Sequence, residues 1–394
     1  MFYPKIILKP GKEQSVKRYH PWIFSGALRS SCKDIKEGDV VDIYSSANEY
    51  LATGHYQVGS IAIRILSFKQ VSIDIDFWIK TIQNAFNLRL VSGLAGNQET
   101  NVYRLINAEG DGLPGLVADY YNGTLVIQFH SIGMFLSKEK LAEAFIKVLG
   151  KQLIAVYDKS ETTIPFKSGI IPQNSYLYGK PETNIVTENG LKFYVDWESG
   201  QKTGFFIDQR DNRKLVSQFS ENRSVLNLFG YTGEYSVYAI NGGAKQAVTI
   251  DSSKQATELA KVNTKLNFPD YSQCEFVCTD VIDYLKNTKN NFDLIIVDPP
   301  AFAKHQNVRT NAVQAYKRIN ARVIELIRPG GIIFSFSCSQ VVSKDDFQKA
   351  IFVASANSGR IVRVLFQLSQ PADHPTSIYH PEGEYLKGFV LYVE

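Results

Sequence analysis

Cys338 closes an apolar run, Gly331-Ile332-Ile333-Phe334-Ser335-Phe336-Ser337, and is followed by Ser339. A thiol at a strand tip, near helix N-termini and small donors, can be drawn toward thiolate and act as a nucleophile. Read alone, Cys338 is first a small buried apolar side chain. A second stretch changes that reading. Asp298-Pro299-Pro300-Ala301-Phe302 follows the apolar segment Leu294-Ile295-Ile296-Val297. Two successive prolines fix the backbone, so the carboxylate of Asp298 and the neighbouring carbonyls are held rigidly. Such an acceptor can hold the amide edge of a nucleobase or a protonated ring nitrogen. The alternative is a plain local cap. Asp298 lies one strand before Cys338, which puts acid and thiol along one crevice.

The elements that must position this pair begin at Ser224. Ser224-Val225-Leu226-Asn227-Leu228-Phe229 reads as a buried strand, Gly230-Tyr231-Thr232-Gly233 as a turn, and the residues through Val237, Tyr238 and Ile240 as a helix. Strand, glycine turn and helix start open a doubly wound nucleotide site, where backbone approaches ligand closely. The spacing Gly-x-x-Gly-x-x-Ser is not the three-glycine dinucleotide fingerprint and is compatible with an ordinary turn. A second strand, Ala247-Val248-Thr249-Ile250, ends in Asp251, 18 positions beyond Gly233 and placed to accept ribose hydroxyls. A third unit ends in Cys278-Thr279-Asp280, and a fourth in Asp298. Polar tips on four parallel strands predict an α/β sheet with its ligand crevice along one edge. The stretch Glu198–Arg213 is polar around two aromatics; Phe206 against an apolar ligand face and Gln209 as a donor are expected there. A helix start packed on the first strand is the competing reading.

Residues 1–70 alternate in β fashion between turns and predict a small barrel. They carry ten Lys/Arg against six Asp/Glu, while the rest of the chain is balanced, so the net charge of +4 sits entirely at this end. That is what a module meeting phosphate requires. Lys17, Arg18, His20 and Trp22 mix cations with rings suited to phosphate contact and base stacking, or to plugging the barrel. A helix is predicted over 71–92 and another over 138–149, with strands at 102–106, 115–120, 124–129 and 155–157. Together they make a central α+β module. The stretch Tyr178–Thr183 reads as a linker, giving domains at 1–70, 71–182 and 183–394.

An apolar fraction of 44% and a charged fraction of 21% are ordinary for a globular chain of 394 residues. Four cysteines are too few for a disulfide framework, and Cys274 and Cys278 lack a second pair, so no metal site is expected. Met1–Lys5 lacks the apolar core of a signal peptide, and no uncharged apolar run approaches membrane-spanning length. A cytoplasmic protein with reduced thiols and no membrane partner is expected.

The glycine turn in Asn227–Gly233, the stretch Asp298–Phe302 and Ser337-Cys338-Ser339 resemble motifs I, IV and VI of S-adenosylmethionine-dependent methyltransferases. With His20–Gly26, Lys202–Arg210 and Tyr379–Gly388, the chain is similar from end to end to the large-subunit ribosomal RNA cytosine-5 methyltransferases. That resemblance implies a PUA domain at the N-terminus, the central α+β domain and a Rossmann-like class I methyltransferase domain. It implies S-adenosylmethionine as cofactor and RNA as partner, 23S ribosomal RNA in particular; a homodimer is the one protein partnership considered. Carried onto this sequence, Cys338 attacks carbon 6 of a cytidine and Asp298 holds its nitrogen 3. The cofactor is held by Phe229, Gly230, Tyr231, Thr232 and Gly233, by Asp251 with Ser252, by Asp280 with Val281, and by Asp298 and Pro299, joined by Phe206 and Gln209. The methionine end lies in the turn, the ribose on Asp251 and the adenine on Asp280. The runners-up are methylation of another base, such as guanine, and non-catalytic RNA binding. The base that removes the carbon 5 proton is not evident in these motifs.

Overall fold

A computed structural model describes residues 3–29, 34–165, 169, 171–289, 291–303 and 305–394; Met1, Phe2 and Cys32 of the expectations above lie outside them. The chain divides into two compact units. One comprises Met1–Val186, Val195–Ile207 and Ala372–Gly383; the other comprises Thr187–Tyr194, Asp208–Pro371 and Glu384–Glu394.

In the first unit, strands β1 (Lys5–Ile7), β2 (Trp22–Phe24), β3 (Val40–Tyr44), β4 (Tyr50–Tyr56) and β5 (Ile61–Ser67) form one sheet in the order β1-β3-β4-β5-β2. Its core is Ile6, Leu8, Val41, Ile43, Ile63 and Ile65, the inward half of each alternating strand. A single helical turn, α1 (Gln14–Lys17), precedes β2. Helix α2 (Ile75–Val91) follows, capped by Asp74 on the amide of Phe77. Strands β6 (Val102–Asn107), β7 (Leu116–Tyr121), β8 (Thr124–Phe129), β9 (Ala155–Asp158) and β10 (Ser175–Gly179) make a second sheet in the order β10-β9-β8-β7-β6. Helices α3 (Ile132–Leu136) and α4 (Lys138–Leu149) accompany it. Strand β10 occupies part of the stretch expected to be a linker: Tyr178 and Gly179 pair with Val156 and Ala155. The edge position leaves the β10 side chains half-buried or exposed, so no apolar alternation marks it.

A hairpin of β11 (Ile185–Glu188) and β12 (Leu191–Tyr194) leads to α5 (Arg210–Gln218). The second unit then alternates strand and helix: β13 (Ser224–Leu228), α6 (Glu234–Asn241), β14 (Gln246–Asp251), α7 (Lys254–Asn267), β15 (Cys274–Cys278), α8 (Val281–Asn287), β16 (Phe292–Val297), α9 (Arg309–Leu326), β17 (Ile327–Ser337), α10 (Lys344–Ser358), β18 (Val362–Leu368) and β19 (Lys387–Val393). The seven strands order as β15-β14-β13-β16-β17-β19-β18, with β19 antiparallel to both neighbours. The central strands β13, β16 and β17 are buried on both faces, which is why they read as unbroken apolar runs, whereas the edge strands β15 and β18 are largely exposed or half-buried. Leu226, Leu228, Ile295 and Ile333 pack with residues of α8, α9 and α10. Val225, Leu294, Ile296 and Phe334 pack with residues of α5 and α6. Strand order reverses between β13 and β16, the switch point beside which such sheets bind ligands. Among the described residues, no helix is long and apolar enough to cross a membrane.

Candidate active site

The turn after β13 is built from left-handed backbone at three of its residues. Phe229 (φ 58°), Tyr231 (φ 45°) and Gly233 (φ 82°) all have positive φ. For the two aromatic residues this costs about 1–2 kcal/mol each, strain of the kind that functional turns retain. Gly230 has no room for a side chain, since a Cβ there would lie 2.4 Å from Thr249 Cγ2. At Gly233 a Cβ would meet that of Ala260 at 2.8 Å. The turn is thus pressed against β14 and α7, while Phe229 and Tyr231 remain half-buried. Thr232 is buried, its hydroxyl donating to Glu234 Oε1 at 2.7 Å, so its side chain supports the turn from beneath. Burial pushes the Glu234 carboxyl up, opposed by Arg213 and Thr232.

Asp251 ties the tip of β14 to this turn. One carboxylate oxygen accepts from the Tyr231 amide at 2.9 Å, the other from the Ser253 amide at 2.8 Å. Each oxygen keeps a lone pair, so two adjacent hydroxyls can still bind. Ser252 beside it is exposed. Asp280 caps α8 by accepting from the amides of Ile282 and Asp283 at 2.8 and 3.2 Å. Val281 is 2% exposed and belongs to the core, so only its backbone can serve a ligand. Acids thus stand at the tips of β14 and β15, next to a turn that admits a close approach. That donor and acceptor set fits the ribose, adenine and amino-acid end of a nucleoside cofactor.

Two strands further along, two contacts bind the end of β16 to the end of β17 and a third ties it to α9. The Cys338 thiol points at the Pro299 carbonyl, 3.9 Å away. Ser339 donates to the Ala303 carbonyl at 2.6 Å, and the Phe302 ring meets Tyr316 of α9 at 4.8 Å. Cys338 is half-buried and lies against the apolar cluster beneath it. Burial raises the pKa of the Tyr316 phenol, and Cys338 and Asp298 both raise it further, so this ring senses acid and thiol together. Asp298 accepts from Gln209 Nε2 at 3.0 Å, and Gln209 Oε1 in turn accepts from Asn212 at 2.6 Å. Sequence reasoning expected Gln209 to donate to a ligand; one of its two amide N–H groups donates to Asp298. The link spans 89 positions, and no local pattern announces it.

Phe206 belongs to the first unit, half-buried under the Lys202 ammonium 4.8 Å from its ring. In the same unit Lys17 pairs with Glu49 at 2.8 Å and Arg18 is exposed. Trp22 donates its indole N–H to Glu109 at 2.8 Å, and His20 Nε2 stands 3.6 Å from Glu382. His380 covers Trp22 at 4.3 Å between ring centres. Three of the four expected RNA contacts, Lys17, His20 and Trp22, therefore already have acidic partners. The exposed rings of this patch are Tyr19 and Phe24, about half accessible.

The sequence profile of S-adenosylmethionine-dependent methyltransferases matches residues 172–377, and that of PUA-like domains matches residues 6–68. The protein named ribosomal RNA large subunit methyltransferase I in Yersinia pestis is 39% identical, over 99% of either chain. A crystal structure described as a methyltransferase complexed with S-adenosylhomocysteine superposes with a TM-score of 0.84 at 25% identity, covering all of both chains. The M. jannaschii tRNA m1G37 methyltransferase shares the fold alone, at 18% identity and a TM-score of 0.52 over 87% of this chain and 93% of that one. With a glycine turn and strand-tip acids suited to the cofactor, and full-length identity to a ribosomal RNA enzyme, the chain belongs to the S-adenosylmethionine-dependent large-subunit ribosomal RNA methyltransferases.

Proposed function

We propose that this protein methylates carbon 5 of a cytidine in 23S ribosomal RNA, with Cys338 as nucleophile and Asp298 as the group that holds the base. The observation that carries this reading is the half-buried thiol at the end of β17, 3.9 Å from the carbonyl of Pro299 and hence beside Asp298. Carbon 5 of cytosine is a weak nucleophile until a thiolate adds at carbon 6. Bound S-adenosylmethionine supplies the electrophilic methyl group. Cys338 forms the sulfur–carbon 6 bond, and the displaced ring electrons collect toward nitrogen 3. Asp298 faces that atom and shares a proton with it, offsetting the charge. Gln209 and Asn212 fix the carboxylate for that task. The cytidine must leave its stack to reach the thiol, and Arg18, Tyr19 and Phe24 in the PUA-like module offer charge and ring faces to flanking RNA.

The test is nucleoside mass spectrometry after the full-length protein has acted on unmodified 23S ribosomal RNA with labelled S-adenosylmethionine. Label in 5-methylcytidine is the expected result. Label in a methylguanosine, or undiminished 5-methylcytidine from Cys338→Ala protein, overturns the reading.

A further inference from the structure

Lys387, the first residue of β19, stands opposite Ser337 in the antiparallel pairing with β17. Only 6% of it is exposed. Its ammonium donates to the Ser339 carbonyl at 2.7 Å, so a buried cation is anchored on the residue that follows Cys338. Among the described residues no carboxylate lies within ion-pair distance of it. A buried ammonium needs a counter-charge, and the acids it senses are Cys338 first and Glu384 second, both drawing its pKa up against the lowering by burial.

We propose that Lys387 is the cation that holds Cys338 in its thiolate form, a positioning residue that acts through the nucleophile. The proposal rests on the reading of Cys338 as the attacking thiol. Two linked acids shift each other reciprocally: if the thiolate favours the ammonium, the ammonium favours the thiolate to the same degree. Among the described residues, two groups near this thiol oppose it. Tyr316 from α9 is a neutral phenol whose pKa Cys338 raises, and the Asp298 carboxylate at the end of β16 repels a second negative charge. A cation is what the site needs. Cys274 shows the thiol without one, pushed up to about 12 by burial alone.

In the reaction the Cys338 proton passes to water before the base arrives. The thiolate pair forms the bond to carbon 6, and the carbon 5–carbon 6 π pair forms the new bond from carbon 5 to the methyl as the methyl–sulfonium bond breaks, its pair remaining on the cofactor sulfur as S-adenosylhomocysteine. Loss of the carbon 5 proton to water then restores the double bond. The sulfur–carbon bond breaks with its pair on sulfur, and the ammonium receives the thiolate again. Lys387 keeps its proton throughout.

The experiment is the pH dependence of Cys338 alkylation by iodoacetamide in the full-length protein without RNA, read by peptide mass spectrometry, with Cys274 and Cys278 followed as internal references. The wild-type midpoint for Cys338 should lie below the ordinary thiol value of about 8.5. Lys387→Gln, which keeps a donor for the Ser339 carbonyl, should raise it by about one pH unit or more and slow labelling about tenfold at neutral pH. Lys387→Arg should stay near wild type. A wild-type midpoint at or above the ordinary value overturns the proposal even if the glutamine variant does not fold. So does an unmoved midpoint in the glutamine variant, or an arginine variant displaced as far as it. Because no RNA is present, a cytidine reading that fails in the nucleoside assay leaves this result standing, and the converse also holds.

Discussion

Gln209 donates its side-chain amide to Asp298 across 3.0 Å, joining the start of α5 to the proline-stiffened end of β16. A hydrogen bond to a charged acceptor is worth about 1.5–3 kcal/mol. Gln209→Leu should therefore slow methyl transfer by about ten- to hundredfold while the fold survives. Single-turnover kinetics with saturating S-adenosylmethionine check this; an unchanged rate would detach Gln209 from the chemistry.

Cys338→Ala removes the proposed nucleophile but not the turn after β13. Methylation should fall by three orders of magnitude or more, on the order of what loss of a covalent nucleophile costs. Affinity for S-adenosylhomocysteine, measured by calorimetry, should stay within about threefold of wild type. A parallel loss of cofactor binding would mean that the sulfur serves the pocket instead.

Gly233→Ala combines a positive φ with a Cβ 2.8 Å from that of Ala260. We expect about 1–3 kcal/mol of destabilisation, seen as a lower melting temperature, and weaker cofactor binding. The conservative change Ala260→Gly in the same chain should recover part of the lost stability by relieving the contact.

Asp346 closes a capping box at the start of α10 and pairs with Arg309 at 2.6 Å. The hydrogen bond from Arg309 is the largest cause holding its carboxyl at about 2, below the usual carboxylate value. A depressed acid stabilises the fold above its unfolded pKa, near 3.9, and that stability is lost as pH falls through the folded value. Asp346→Asn should therefore lower stability at neutral pH by about 1 kcal/mol. The gap between the two melting curves should narrow from about pH 4 downward. A gap that widens on acidification would contradict the sign.

Phe24→Ala and Arg18→Ala should weaken RNA binding by different physics. Loss of a stacking ring costs about 1–3 kcal/mol per base and leaves the salt dependence unchanged. Loss of a phosphate contact flattens the dependence of affinity on salt. Fluorescence anisotropy across a salt series separates the two.

The parallel sheet was legible because its central strands β13, β16 and β17 are buried on both faces, so that a run such as Ile332–Phe336 reads as unbroken apolar sequence. Helix α4 was legible for a different reason: its charged and apolar positions alternate with the helical period and its bounds agree with the expected 138–149. Strand β10 was hidden because edge strands need only backbone partners, which side chains do not announce. At the candidate site, the strand-tip positions of Asp298 and Cys338 were legible from the apolar runs that precede them. The hydrogen bonds of Gln209 and Lys387 were not, since their partners lie 89 and 48 positions away. The residues Trp22 and His20 were read as open to RNA because Glu109 and Glu382 are remote in sequence.

The unit that carries β1 to β10 also claims Val195–Ile207 and Ala372–Gly383. In that second segment Asp373 accepts from the Arg104 amide at 2.9 Å and its carbonyl accepts from buried Arg89 at 2.8 Å. The polypeptide therefore threads back and forth, and no single scissile position yields either half whole. Trimming the gene from one end would strip a stitch from the half it meant to spare, so inheritance and engineering alike must treat the two as one indivisible text.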